Sequence, residues 1–339
     1  MKRLEYIDAL RGWAIFTMIL GHSVQQFNDT HYFLQDRVFS TIYSFHMPLF
    51  FFLSGLLFKN SLKQSPAKFV QKKVIQLILP SVVWALIFYL VSLIAAGNLD
   101  FDFENFKKLL FPSSWPFWFL VELFKSYLLL FFLYKIIKNQ AVVFILALAV
   151  VFLIHSQSSQ RFLIPFFMLG IMTKDYISFF EKYLKPLLIG FFALFSALLF
   201  FWKGSYTIYF SEFPEIYSIY SHQFSFENYD IALFRFVIGL AGCIFWFLLF
   251  KYINERQIIK GPTNWFTKIG KETLGIYIIQ KSFLELFLTH YIDFYFVNKW
   301  ITSLIILPII SIVIIQIIMF IIHLINRNKT ARLLLIGKE

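Results

Sequence analysis

Apolar residues in this chain come in long unbroken runs separated by short basic segments, and that arrangement leaves few ways to fold. A helix needs about 20 mostly apolar residues to cross a bilayer. Ten stretches approach that length: 8–27, 41–58, 75–96, 116–135, 140–154, 161–173, 186–202, 231–250, 272–290 and 301–325. The fifth and sixth are short and read either as two helices or as one broken, re-entrant pair. The runs are continuous rather than alternating, which argues against strands. With 59% hydrophobic and 15% charged residues in 339, the chain has more apolar side chain than a water-soluble globule can bury. Disorder fails on the same ground. The lone Cys243 gives no intrachain disulfide framework. No linker divides the chain. The expectation is an all-α, polytopic integral membrane protein of about ten transmembrane helices. It forms a single domain over 1–339, with a helical core at 8–325 and a basic cytoplasmic tail at 326–339.

Charge provides an independent check on that count. The net charge of +12 would suggest nucleic-acid binding in a soluble protein. Here the basic residues lie between hydrophobic runs, so a bilayer is the expected partner and nucleic acid is not. With the N-terminus in the cytoplasm and ten alternating helices, 21 of the 31 basic residues fall on inner segments and seven on outer ones. Arg11, Lys125 and Lys281 lie within helices. This bias follows the positive-inside rule, and removing one helix would invert every later loop. Both termini are therefore expected in the cytoplasm. The first run carries Arg11 and His22 and lacks a small-residue cleavage site, so it reads as a retained helix rather than a signal peptide.

Two outer loops, 97–115 and 203–230, are rich in acidic and aromatic residues, Tyr206, Phe213 and Tyr217 among them. Stacking faces beside carboxylates suit sugar binding, and they equally suit an interfacial aromatic belt. No internal repeat is visible, which weakens a secondary-transporter reading.

Ionisable side chains inside a bilayer are costly and mark function by default. The first run holds Asp8, Arg11 and His22. Asp8 and Arg11 are three apart and can pair on one face. Arg11 and His22 are eleven apart, which is three helical turns plus about 20°, so they share a face about 16 Å apart along the axis. Such a helix offers a cation near the cytoplasmic edge and a proton acceptor near the outer edge. A phosphorylated carrier docking from the cytoplasm could reach the histidine with its reactive end. Neutral His is the usual group for taking a hydroxyl proton near pH 7. The alternatives are a snorkelling Arg11 paired with Asp8, and a hydrogen-bonded interior His22.

The second run holds Ser44-Phe45-His46-Met47-Pro48, then Ser54-Gly55. His46 falls at a depth similar to His22. No third ligand accompanies the two histidines, so no metal site is expected. Trp118 and Glu122 open the fourth run. Glu122 could orient a histidine or bind a hydroxyl, or could pair with Lys125. Lys281 and Glu285 read as a structural pair, and Arg235 near the start of the eighth run is ambiguous. No Walker loop, zinc spacing or Ser-His-Asp order is convincing.

The segment Tyr6-Ile7-Asp8-Ala9-Leu10-Arg11-Gly12, followed by Gly21-His22, resembles the first helix of the acyltransferase family 3 membrane proteins, with an Arg, ten residues, then a His. Phe45 to Gly55 is similar to their second-helix signature, Trp118-Phe119-Leu120 to their tryptophan motif, and Ile269 to Tyr277 to a late motif. The likeness spans nearly the whole chain, and its first two motifs carry most of the specificity. It implies transfer of an acyl group, commonly acetyl from acetyl-CoA, to a hydroxyl of a cell-surface or exported glycan or lipid-linked precursor. It looks most like the stand-alone sugar O-acetylase branch.

On that resemblance His22 and Arg11 are the catalytic residues, and the bacterial inner membrane is the location. Asp8, His46, Trp118, Glu122 and Arg235 are candidate substrate-binding residues. Acyl-CoA is a co-substrate, and no permanently bound cofactor is expected. Gln280 stands where many relatives have His, which puts any catalytic role there in doubt. The rival reading is a transporter or flippase for a lipid-linked sugar, using the same buried charges as a substrate path.

Overall fold

The computed structural model describes residues 5–27, 33–95, 97, 102–104, 117–153, 158–206, 213, 217–218, 223–224, 228–256, 261–283 and 299–338. In chain order the helices are α1 (Glu5–Phe27), α2 (Arg37–Phe58), α3 (Pro66–Lys73), α4 (Leu79–Ala95), α5 (Trp118–Ile136) and α6 (Gln140–Leu153). They continue with α7 (Ser158–Asp175), α8 (Ile177–Lys182), α9 (Leu184–Phe200), α10 (Tyr229–Arg256), α11 (Gly261–Lys271) and α12 (Thr273–Phe283). The last two are α13 (Leu307–Ile325) and α14 (Lys329–Ile336). Over the described residues each of the ten apolar stretches overlaps a helix; 284–290 of the ninth lies outside them. The fifth and sixth are separate helices, α6 and α7.

Among the described residues, four helical stretches are long and apolar enough to cross a membrane: Arg37–Lys63, Pro66–Ile94, Tyr229–Arg256 and Lys299–Ile325. Gln140–Phe152 and Leu184–Phe200 are apolar but shorter. α1 has the length, and Asp8, Arg11 and His22 interrupt its apolar run.

Local signals set several boundaries. Asp36 accepts hydrogen bonds from the N–H groups of Val38 and Phe39 at 2.8 and 3.0 Å, which caps α2 and starts it four residues before the expected position. The third apolar run is preceded by α3, which begins at Pro66 and joins α4 through a π-helical turn at Val74–Ile78. Among the described residues of the segment 203–230, the expectation of an all-α chain is corrected by a two-residue antiparallel ladder pairing Tyr217 with Phe224 and Ser218 with Gln223. A stretch that long without an apolar run has no bilayer forcing its backbone into helix.

The chain divides into two compact units. The first comprises Met1–Lys63 and Leu129–Lys271. Its interior is built from α1 and α2, and 89% of the apolar window of Arg37–Lys63 is buried. α2 crosses α7 backbone to backbone. A Cβ on Gly55 would lie 1.9 Å from the Phe167 carbonyl oxygen, and one on Gly170 would lie 2.0 Å from that of Phe52. No side chain fits there, and this is how small residues let apolar helices approach closely. At one end of this unit Lys59 bonds Asp175 at 2.6 Å and Gln140 at 3.1 Å, tying together the ends of α2, α6 and α7. Lys251 of α10 is buried and salt-bridged to Glu181 at 2.9 Å and Glu255 at 3.0 Å.

The second unit comprises Gln64–Leu128 and Glu272–Glu339. α12 packs on α13 and α4, and α14 packs on α4. The Trp84 indole donates to the Leu335 carbonyl at 2.8 Å, and Lys338 pairs with Glu272. α14 is capped at both ends, by the Asn328 side chain and by Gly337 in the left-handed region at φ 63°. In this unit Pro66–Ile94 is only 28% buried, and Lys299–Ile325 33%, so both expose apolar faces of the kind that suit lipid.

Candidate active site

α1 is a continuous helix from Glu5 to Phe27, so Arg11 and His22 do share one face. At its beginning Asp8 is 4% exposed and Arg11 half-buried, with Nη1 to Oδ1 at 3.9 Å. The backbone around this pair is pinned. A Cβ on Gly270 of α11 would lie 1.8 Å from the Asp8 carbonyl oxygen, and one on Gly12 would lie 1.9 Å from that of Phe266. α1 and α11 therefore meet at main-chain contact one residue beyond Arg11. An aromatic group of Trp13, Phe16, Trp246, Phe250 and Phe266 surrounds the crossing.

About three turns of helix separate Arg11 from His22, which is half-buried. Tyr43 of α2 lies edge to face with the His22 ring, with centroids 6.4 Å apart. The same tyrosine meets His46 at 4.7 Å. Its hydroxyl donates to Gln25 Oε1 at 3.1 Å. His46 is 3% exposed, and its Nδ1 lies 2.9 Å from the Ile42 carbonyl oxygen. A carbonyl only accepts, so Nδ1 carries the proton and neutral His46 keeps its lone pair on Nε2.

Arg235 of α10 is 2% exposed, and its guanidinium carbon lies 4.7 Å from the Phe162 ring centroid, a cation–π geometry. One turn further, Gly239 packs on the Ser44 carbonyl and Pro48, both within 3.3 Å of a Cβ built there. That contact sets this part of α10 against the turn of α2 that carries His46. The first unit thus gathers His22 and His46 about Tyr43, sets the turn of α10 that follows Arg235 against the same part of α2, and holds Asp8 and Arg11 toward the other end of α1.

Trp118 and Glu122 belong to the second unit. Glu122 is 1% exposed, and Lys125 bonds its Oε1 at 2.9 Å. The intrahelical pair is therefore present. Gln280 of α12 is 2% exposed, and Tyr277 packs on Phe119 with centroids 5.4 Å apart. Most of the two long loops lies outside the described residues, as does Glu285 with its proposed Lys281 pair. Among the described residues, no three His, Cys, Asp or Glu side chains cluster closely enough to hold a metal ion.

Sequence reasoning missed two residues. Tyr43 stands three before His46 and so on its face, which was the available signal. Arg161, at the start of the sixth apolar stretch, is 4% exposed in the first turn of α7, and its Nε–H donates to the Phe213 carbonyl at 2.8 Å.

Four helical stretches of membrane-crossing length among the described residues, with an ion pair and a buried histidine among the helices of the first unit, point to a helical membrane protein. A sequence model described as an acyltransferase domain matches residues 4–323, and the chain belongs to that family of acyltransferases. Two curated proteins called nodulation protein NolL are similar over part of it. The one from Sinorhizobium fredii (strain NBRC 101917 / NGR234) is 34% identical over 133 residues, 36% of this chain and 34% of its own length. The one from Mesorhizobium japonicum (strain LMG 29417 / CECT 9101 / MAFF 303099) is 28% identical over 126 residues, with the same two coverages. The chain therefore spans about a third of the length of these curated relatives. No solved structure is a significant match.

Proposed function

We propose that the chain is a multi-pass O-acyltransferase of the bacterial inner membrane, moving an acetyl group from acetyl-CoA to a hydroxyl of a cell-surface or exported glycan or its lipid-linked precursor. The observation that carries this reading is the acyltransferase match over residues 4–323, on a chain whose buried first helix presents Arg11 and His22 on one face. The match runs through both compact units, which supports one acyltransferase domain built from the two. Ten crossings with both termini in the cytoplasm are supported by the bias of basic residues toward alternate loops.

In this scheme Arg11, steadied by Asp8, receives phosphate oxygens of the donor from the cytoplasmic side. A guanidinium suits them because its planar fork makes two parallel bonds. Neutral His22 takes the proton of the acceptor hydroxyl, and the oxygen attacks the thioester carbonyl. The new C–O bond forms as the C–S bond breaks, and the proton passes from the imidazolium to the leaving thiolate. A variant route has His22 carry the acyl group before the acceptor arrives. Within the first unit His46 and Arg235 are the proposed acceptor contacts; Trp118 and Glu122, in the second unit, are substrate-binding candidates on the resemblance alone.

Mass spectrometry of surface glycans and their precursors tests the reading. Wild type, a deletion strain and a His22→Ala strain are compared at equal protein level. Loss of one acyl-sized mass in both mutants supports acyl transfer. Precursor that accumulates with no acyl difference supports a flippase instead.

A further inference from the structure

Tyr43 is 7% exposed, and it touches α1 at three successive points around His22. Its ring carbons pack on Gly21, where a Cβ would lie 3.0 Å from Cε2. The ring meets the imidazole of His22 at 84°. Its hydroxyl reaches Gln25, just under one turn beyond, at 3.1 Å. On its own helix the ring stacks on Phe39 at 3.9 Å and abuts His46. A side chain stacked along its face and tethered at its tip has no free rotamer to move into. Its ring is therefore a fixed wall for the neighbouring imidazole. A general base must bring its acceptor nitrogen within about 2.6–3.2 Å of the proton it takes. An error of about 1 Å in such placement costs roughly 100-fold in rate.

We propose that Tyr43 is the positioning residue for His22, setting the direction of the imidazole through its ring and the register of α2 against α1 through its bond to Gln25. This rests on the reading of His22 as the base. Tyr43 touches neither donor nor acceptor in this role. Its loss therefore falls on kcat rather than on KM, whereas a residue that only packs the core would lower the amount of folded protein.

The experiment measures release of CoA thiol from acetyl-CoA by native-host membranes that carry each variant at equal protein. Tyr43→Leu is expected to lower kcat at least about 30-fold, with the KM for acetyl-CoA within about threefold. Tyr43→Phe keeps the wall and loses the tether, so it restores most of that loss. Tyr43→Phe and Gln25→Met sever the same hydrogen bond, so the double variant is no slower than either single one. A Tyr43→Leu kcat within twofold of wild type overturns the proposal, as does a loss confined to KM. If Tyr43→Leu fails to accumulate, the double-variant comparison decides: shared kcat losses support positioning, and additive or absent losses overturn it. His22→Ala in the same assay separates the two readings. An inactive His22→Ala beside a fully active Tyr43→Leu removes the positioning role alone. An active His22→Ala removes the base itself.

Discussion

Gly12 and Gly270 face each other across α1 and α11 with no room for a side chain on either. A Cβ on Gly12 would lie 1.9 Å from the Phe266 carbonyl oxygen, and one on Gly270 1.8 Å from the Asp8 carbonyl oxygen. Both obstacles are backbone, which cannot swing aside as a side-chain tip can. The crossing sits one residue from Arg11, so the main-chain contact and the proposed donor site share a turn of helix.

Gly270→Ala should therefore force the two helices apart. Overpacking of this kind costs roughly 1–3 kcal/mol. The expected result is a lower Tm in detergent and loss of acetyl transfer. Gly190→Ala is the control, because no atom lies within 4 Å of a Cβ there and the residue is mid-helix. Its Tm should hold or rise, since Ala favours helix over Gly by roughly 0.5–1 kcal/mol. Equal Tm values for both variants would contradict the backbone contact.

His22→Ala should insert normally and transfer nothing. General-base catalysis is worth typically about 10²–10⁴-fold. His22→Gln should be equally inactive, because an amide hydrogen-bonds without accepting a proton. Labelled acetyl transfer in purified membranes, normalised to protein, reads the effect.

Arg11→Lys keeps the charge and loses the fork. It is expected to raise the KM for acetyl-CoA about tenfold. Asp8→Asn leaves the guanidinium without its carboxylate at 3.9 Å. It should raise the same KM less, because a partly exposed ion pair contributes only about 0–1 kcal/mol. A steady-state series in acetyl-CoA orders the two; the reverse order would make Asp8 the principal contact.

Glu122 and Lys125 separate structure from binding. Lys125→Met leaves a buried carboxylate without its 2.9 Å partner. It should lower Tm, in line with a cost of about 1–3 kcal/mol. Glu122→Gln should instead raise the KM for the acceptor while Tm stays close to wild type. Paired thermal and kinetic measurements on both variants distinguish the outcomes.

Orientation is read by single-cysteine labelling in intact cells. Asn60→Cys should resist a membrane-impermeant maleimide, and Asn98→Cys should react. Cys243 is fully buried and adds no background.

Much of this architecture was legible because apolar runs are a strong signal and buried charges are rare within them. Each of the ten stretches is helical over its described residues, almost throughout, and Asp8, Arg11 and His22 could be set on one face from a 3.6-residue period alone. Long-range polar contacts were not legible: a sequence does not show that the Arg161 Nε–H meets the Phe213 carbonyl 52 positions away. Tyr43 was passed over because a tyrosine in an aromatic-rich run carries no charge to draw notice. Its role comes from contacts to α1 that local spacing does not encode. The π turn at Val74–Ile78 falls within the 75–96 run, and α3 lies before it without an apolar run of its own, since hydropathy registers the apolar stretch and not a change in helical pitch.

The glycine crossing of α1 and α11 also bears on how such an enzyme can change its acceptor. A helix fixed by its own main chain cannot be rotated or slid by altering the side chains around it. Arg11 and His22 therefore keep one bearing whatever surrounds them. A change of acceptor must then be made by replacing side chains around the histidine rather than by moving the helix that carries it. A hydrogen in place of a side chain on Gly12 and on Gly270 is what allows that fixed crossing.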